Sequence, residues 1–227
     1  MTRTAKVAEI FDSVQGEGPY IGYRQLFVRF CGCNLLCDYC DTEFDKGDDY
    51  TVAQLVEKIK SFKLEPLHSV SLTGGEPLLQ YEFLKEFLPS LKQLGLKIYL
   101  ETNGTMDRAL DKVIEYIDIV SMDFKLDSSA KIGDLYSKHD AFLEICKKHS
   151  KDTFAKLVFD ETIRDFEIDE CVKLAQKYKI PVILQPKMEE EAMSITSVFA
   201  VTVLDKFLKK YNKVRLIPQV HKFLSVR

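Results

Sequence analysis

Short apolar runs rich in β-branched residues alternate, along most of the chain, with segments whose apolar positions recur every three to four residues. The runs at 26–30, 69–73, 96–101, 117–124, 154–159, 181–185 and 214–217 predict strands, and 26–30 is the first of them. The segments 51–60, 81–94, 107–116, 140–149, 166–178 and 196–211 predict helices. Thr51 reads as the N-cap of the first helix, with Val52, Leu55, Val56 and Ile59 at helical spacing behind it. Pro77, in Gly74-Gly75-Glu76-Pro77, suits a first helical turn, where a missing N–H costs nothing. Residues 11–19, with two glycines and a proline, predict a tight polar loop.

Strands that alternate with helices predict an α/β fold with a mainly parallel sheet, because parallel neighbours need crossover connections. Most of the runs are continuously apolar, as expected where both sheet faces are covered. A closed eight-unit barrel takes about 250 residues. The 227 residues here therefore fit an incomplete TIM-type barrel better. No repeat, low-complexity tract or Gly/Ser linker interrupts the chain, so a single domain over 1–227 is expected.

In such folds ligands gather at the carboxyl ends of the strands. The chemically unusual residues recur there: residues 31–42, Gly74 to Pro77, Thr102-Asn103-Gly104, Asp123-Phe124-Lys125 and Gln185-Pro186. One binding face collects them.

Composition narrows the class of function. Hydrophobic residues are 46% of the chain and charged ones 30%, the balance of a soluble globular protein. A net charge of −3 offers no basic field for nucleic acid or an anionic membrane. No apolar stretch approaches the roughly 20 residues that span a bilayer. The amino terminus lacks the apolar run and cleavage site of a secretory signal, so a cytoplasmic enzyme is expected.

Four of the six cysteines, Cys31, Cys33, Cys37 and Cys40, fall within ten residues. Cys146 and Cys171 occupy apolar positions of helical patterns and read as buried small hydrophobes. A disulfide framework is not expected in a chain of this length without an export signal. Cys33, Cys37 and Cys40 are spaced C-x3-C-x2-C. Clustered thiolates ligate iron–sulfur clusters or zinc. Three on one loop can each hold one iron of a four-iron cube and leave the fourth iron open. Alternatively Cys31 completes a closed four-thiolate zinc site, or caps the fourth iron of an electron-transfer cluster. Structural zinc usually joins two separated knuckles, and all four cysteines here are local.

The C-x3-C-x2-C spacing after the first strand, followed by the GGEP turn, resembles the radical S-adenosylmethionine (radical SAM) enzymes. That resemblance implies a 4Fe–4S cluster, held by Cys33, Cys37 and Cys40, whose open iron chelates S-adenosylmethionine. Reduction then cleaves the sulfonium and releases an adenosyl radical. The segment FDSVQGEGP at 11–19, Arg29, Cys40-Asp41-Thr42 and the ending IPQVHK resemble, within that superfamily, the 7-carboxy-7-deazaguanine synthases.

This second resemblance implies a pterin substrate, 6-carboxy-5,6,7,8-tetrahydropterin. It implies hydrogen abstraction at C6, ring contraction and loss of ammonia, on the route to queuosine and related 7-deazapurines. It further implies magnesium at the substrate carboxylate, flavodoxin or ferredoxin as reductant, and a homodimer. The substrate contacts it implies are Val14, Gln15, Gly16, Glu17, Arg29 and Thr73. Arg29 can grip a carboxylate through two parallel hydrogen bonds. Tyr39, Cys40, Asp41, Gly75, Ser121, Met122 and Asp123 are the implied cofactor contacts, and Thr42 the implied magnesium ligand. Asn103, Gln185 and His221 are further candidates. His68, His139 and His149 give no ligand spacing and read as surface residues, and Lys147-Lys148 as a solvated helix face. A glycyl-radical activating enzyme shares the cysteine spacing, but its protein substrate leaves Gln15–Glu17 and Arg29 without a purpose. A non-catalytic iron–sulfur or zinc module is the remaining alternative.

Overall fold

The computed structural model describes residues 2–38, 40 and 46–226. The chain opens with β1 (Thr4–Val14), β2 (Arg24–Phe30) and β3 (Asp48–Thr51). There follow α1 (Val52–Lys60), β4 (Ser69–Gly74), α2 (Tyr81–Gln93), β5 (Ile98–Thr102), α3 (Asp107–Leu110) and β6 (Ile119–Asp123). Then come α4 (Asp127–Ala130), α5 (Tyr136–Lys148), β7 (Asp152–Phe159), α6 (Asp165–Tyr178) and β8 (Val182–Pro186). A small hairpin of β9 (Met188–Glu189) and β10 (Ala192–Met193) precedes α7 (Ser197–Leu208), β11 (Val214–Leu216) and α8 (Val220–Phe223).

The main sheet runs β11-β8-β7-β6-β5-β4-β2-β1-β3. The seven strands from β2 to β11 pair in parallel, and they are the seven that the apolar runs predict. β1 is antiparallel to both β2 and β3. Among the described residues β3 and β11 are the two edges and do not pair, so the sheet is not closed. It bends far enough for Glu17, just before β2, to meet Gln185 on β8 at 3.2 Å. This is the incomplete barrel that the chain length suggests.

Strand alternation sorts the side chains into two sets. Leu26, Val28 and Phe30, with Val70, Leu72, Ile98, Leu100, Val120, Met122, Leu157 and Leu184, face outward and join the helices in one apolar core. The intervening residues face the concave side. Tyr99, Ile119, Phe154 and Ile183 fill its floor, with Tyr20 packed on them. Above them the same strands carry Gln25, Arg29, Ser71, Thr73, Glu101, Ser121, Asp123, Lys156 and Gln185. An apolar floor under a polar layer is the platform of the site.

Thr51 caps α1 as expected, in a capping box with Gln54. Cys146 and Cys171 are buried. Four expectations need correction. Residues 11–14 belong to β1 rather than a loop, so β2 is the second strand. The helix expected over 107–116 is α3 plus a separate 3-10 turn, Ile114–Tyr116. The helix expected from 140 starts at Tyr136, which puts His139 on its inner face beside Phe142, Leu143 and Cys146, with 1% of its surface exposed. His68 is half-buried, its ring centroid 4.3 Å from that of Tyr23. His149 is exposed, as read. Among the described residues no helix is long and apolar enough to cross a membrane.

Candidate active site

A cavity opens over the carboxyl ends of the parallel strands. Cys33, Cys37 and Cys40 line it from the β2 loop, Gly74 and Gly75 from the β4 end, and Thr102 and Asn103 from the β5 end. Asp123, Lys125, Lys156 and Gln185 complete the opposite wall. Five predicted strand-end groups thus meet at one place.

The two glycines are required by contact. Gly74 has φ +131, and a Cβ there would come within 2.1 Å of the Phe30 carbonyl oxygen. A Cβ on Gly75 would come within 2.1 Å of the Gly32 oxygen and 2.9 Å of the Cys33 Cβ. The β4 end therefore lies flat against the cysteine loop. Glu76, fully buried, turns away from the cavity and accepts hydrogen bonds from Leu78 N (3.0 Å), Thr102 Oγ1 (3.0 Å) and Asn103 N (2.8 Å). Burial pushes its carboxyl up to about 7 despite these donors.

Burial likewise raises the thiols of Cys33 and Cys37 above the ordinary value. Cys31 is different. Its thiol is buried on the far side of the loop, 3.4 Å from the Lys46 carbonyl, and it does not line the cavity. The closed four-thiolate site therefore lacks its fourth member. Among the described residues no three His, Cys, Asp or Glu side chains converge on a point as a single ion requires. Three thiols spread along one wall, beside a glycine that keeps that wall open, suit a cube that takes one thiolate per iron.

Lys156 is the central charge of the opposite wall and is only 5% exposed. It pairs with Glu17 and lies 3.7 Å from Asp123, which also holds Lys125 at 3.0 Å. Burial would lower the Lys156 ammonium, but Asp123 and Glu17 hold it well above its ordinary value. Burial would raise Glu17, but Lys156 and the Gln219 amide, at 2.7 Å, keep it below the ordinary carboxylate range.

A second cavity adjoins the first and shares Glu17, Thr73, Glu101 and Gln219 with it. Val14, Gln15, Gly16, Arg29 and His221 line it. Phe11 and Phe27 stack at 5.0 Å in its wall, and the Arg29 guanidinium lies 5.6 Å from the Phe11 ring centroid. Glu9 approaches Arg29 at 3.7 Å. The Gln15 side chain is spent on the fold: it donates to Gln25 and Glu101 and accepts from Glu17 N. His221 lies against Gly16, where a Cβ would collide with the imidazole, and Val220 N donates to the Gly16 carbonyl at 2.9 Å. The stretch after β11 thus forms part of the wall.

Of residues 121–123, only Asp123 lines a cavity; Ser121 is sealed on the concave side and Met122 belongs to the outer core. Tyr39, Asp41 and Thr42 lie outside the described residues. Glu101 and Lys156 escape the motif-based reading. Glu101 collects Gln15, Ser71 and Thr73 at 3.1–3.3 Å between the two cavities. The signal for both was a charged residue inside an otherwise apolar parallel strand, which demands a partner.

Comparison with known proteins identifies the family. The Radical SAM superfamily matches residues 27–185. The chain is 38% identical, over 97% of its own length and 97% of the relative's, to the 7-carboxy-7-deazaguanine synthase of Geobacter sulfurreducens. The crystal structure of QueE from Escherichia coli superposes with a TM-score of 0.67 at 20% identity, covering 96% of this chain and 95% of that one. Streptococcus suis SuiB bound to S-adenosylmethionine superposes with a TM-score of 0.60 at 17% identity, over 84% of this chain and 46% of that one. The structural likenesses concern the fold alone, whereas full-length sequence identity reaches further: this chain belongs to the radical SAM superfamily and, within it, to the 7-carboxy-7-deazaguanine synthase family.

Proposed function

We propose that this protein converts 6-carboxy-5,6,7,8-tetrahydropterin to 7-carboxy-7-deazaguanine and ammonia, as a radical SAM lyase of 7-deazapurine (queuosine) biosynthesis. The observation that carries this reading is the pair of adjoining cavities. One presents three thiols beside Gly75, and the other presents the Arg29 guanidinium over an aromatic wall. A protein-modifying enzyme has no use for the second.

Cys33, Cys37 and Cys40 would hold a 4Fe–4S cluster, and Gly75 and Asp123 would receive S-adenosylmethionine beside it. When bound, the pair supplies a one-electron cleavage of the sulfonium that starts hydrogen abstraction from the substrate. The chain does the rest. Arg29 binds the substrate carboxylate by charge-assisted hydrogen bonds. Phe11 and Phe27 exclude water from the face beneath it. The backbone of Val14 to Gly16 and the carboxylates of Glu17 and Glu101 face the second cavity, where they accept N–H groups of an aminopyrimidinone edge. Thr73 sits between the cavities and orients Glu101. Lys156 Nζ is the buried proton-bearing group of the first cavity, paired with Glu17 of the shared wall.

The reading extends to magnesium at Thr42, to flavodoxin or ferredoxin as electron donor, to a homodimer and to the cytoplasm. Its test is turnover. Anaerobically reconstituted protein, given reductant, S-adenosylmethionine, magnesium and the carboxy-tetrahydropterin, yields a deazaguanine carboxylate detected by mass. Absence of product from protein with a full cluster overturns the reading.

A further inference from the structure

Asn103 stands where three supports converge. From below, its backbone N–H is held by Glu76. From behind, its carbonyl meets His139 Nε2 at 3.2 Å, and that imidazole, pushed down to about 4 by burial, is neutral and available as a donor. From the side, its Oδ1 accepts both Thr105 N at 3.1 Å and Thr105 Oγ1 at 2.6 Å. A backbone N–H can only donate, so the Thr105 amide fixes which end of the Asn103 side chain is oxygen. The Nδ2 end therefore points the other way. There it donates to Asn34 Oδ1 at 2.8 Å and lies 3.9 Å from the Cys33 sulfur. Asn34 closes the ring by donating to Thr105 Oγ1 at 2.9 Å. The Asn103 amide has two N–H groups, and the second faces the sulfur.

We propose that Asn103 is a positioning residue for the Cys33 ligand: its amide, locked by Glu76, Thr105 and His139, offers an N–H to the Cys33 sulfur and raises the reduction potential of the cluster. This rests on the reading of Cys33, Cys37 and Cys40 as cluster ligands. An N–H directed at a ligand sulfur draws off charge and favours the reduced state. Leu35 N supplies one such donor from the loop itself, at 3.5 Å. Asn103 supplies another from a different strand end, and its direction is fixed by the fold rather than by the loop. Asn34 shares the ring but gives no hydrogen to the sulfur, so a tether and a tuner can be told apart.

The experiment compares wild type, Asn103→Asp, Asn103→Ala, Asn103→Leu and Asn34→Ala as reconstituted proteins. Iron content is measured first, then the midpoint potential by redox titration followed by electron paramagnetic resonance. Asn103→Asp loses the N–H but adds a negative charge that lowers the potential by itself, so the neutral variants decide: Asn103→Ala, and the near-isosteric Asn103→Leu where Asn103→Ala does not retain its cluster. A more negative potential in the neutral variant, with Asn34→Ala near wild type, is the expected result. A potential unchanged in the neutral variant, or shifted equally in Asn34→Ala, overturns the proposal. A wild-type protein that binds no cluster overturns the underlying reading instead.

Discussion

The carboxylate of Glu76 accepts the backbone N–H of Asn103 at 2.8 Å, across a sequence separation of 27 residues. One buried side chain thus joins the ends of β4 and β5 beneath the cysteine loop. The glutamate of the GGEP turn is a fastener of the site floor, while the two glycines make its surface.

Removing that fastener strands three buried donors, on Leu78, Thr102 and Asn103. Glu76→Ala is expected to cost roughly 3 kcal/mol or more, at ~1–3 kcal/mol per unmet group, read from the urea midpoint. The carboxyl is raised from 4.5 to about 7 by burial. The folded state therefore binds this proton more tightly than the unfolded one. That contribution is full below pH 4.5 and disappears as pH rises through about 7. Relative to Glu76→Gln, wild-type apoprotein is expected to be more stable at pH 5 than at pH 8. A difference independent of pH would refute the assignment.

Lys156 and Glu17 form a buried pair, and breaking one side of such a pair costs about 3–5 kcal/mol. Lys156→Met should approach this loss at pH 7, and adding Glu17→Gln should recover much of it in a double-mutant cycle. The sign with pH follows from Glu17. Its pKa is lowered in the folded state, so the pair stabilises above the unfolded value of 4.5 and weakens as pH falls below it. The destabilisation by Lys156→Met is accordingly smaller at pH 3 than at pH 7. Equal losses at both would place the stabilisation elsewhere.

Cys31→Ala should keep about four irons per chain, because that thiol faces Lys46 and not the cavity. Cys33→Ala, Cys37→Ala and Cys40→Ala should each lose the cluster. Iron analysis and visible absorption separate the two groups, and cluster loss in Cys31→Ala would restore the closed-site alternative.

Arg29→Ala should raise KM for the carboxy-pterin about 10–100-fold, the equivalent of ~1.5–3 kcal/mol for a charge-assisted hydrogen bond. S-adenosylmethionine binding should be unchanged, since Arg29 lines only the second cavity. Calorimetry with the two ligands separately distinguishes this from general disruption.

The parallel strands and their strand-end motifs were legible because each carries a local signal: an apolar run, a glycine pair, a cysteine triplet. β1 was hidden by a bulge. The register shifts between Val7 and Glu9, which breaks the alternation begun by Ala5 and Val7, so 11–14 looks like polar loop. His139 was misplaced because Lys138 and Asp140 flank it with charge. Moving the start of α5 to Tyr136 aligns it at helical spacing with Phe142, Leu143 and Cys146. Glu101 and Lys156 answer to partners far along the chain, Gln15 86 residues from Glu101 and Glu17 139 residues from Lys156. No local pattern records such a meeting.

The wall shared by Gly16, Glu17, Gln219 and His221 joins residues 202 apart in sequence, Gln219 and Glu17. On a ribosome the cysteine loop and the central strands can emerge and pack while the stretch after β11 is still unmade. Arg29, Phe11, Phe27 and the Gly16 loop are then already made, but the side of the second cavity that Gln219 and His221 supply is not. The second cavity stays open on that side until the stretch after β11 folds back onto Gly16 and Glu17, so its closure is a late, long-range step of folding.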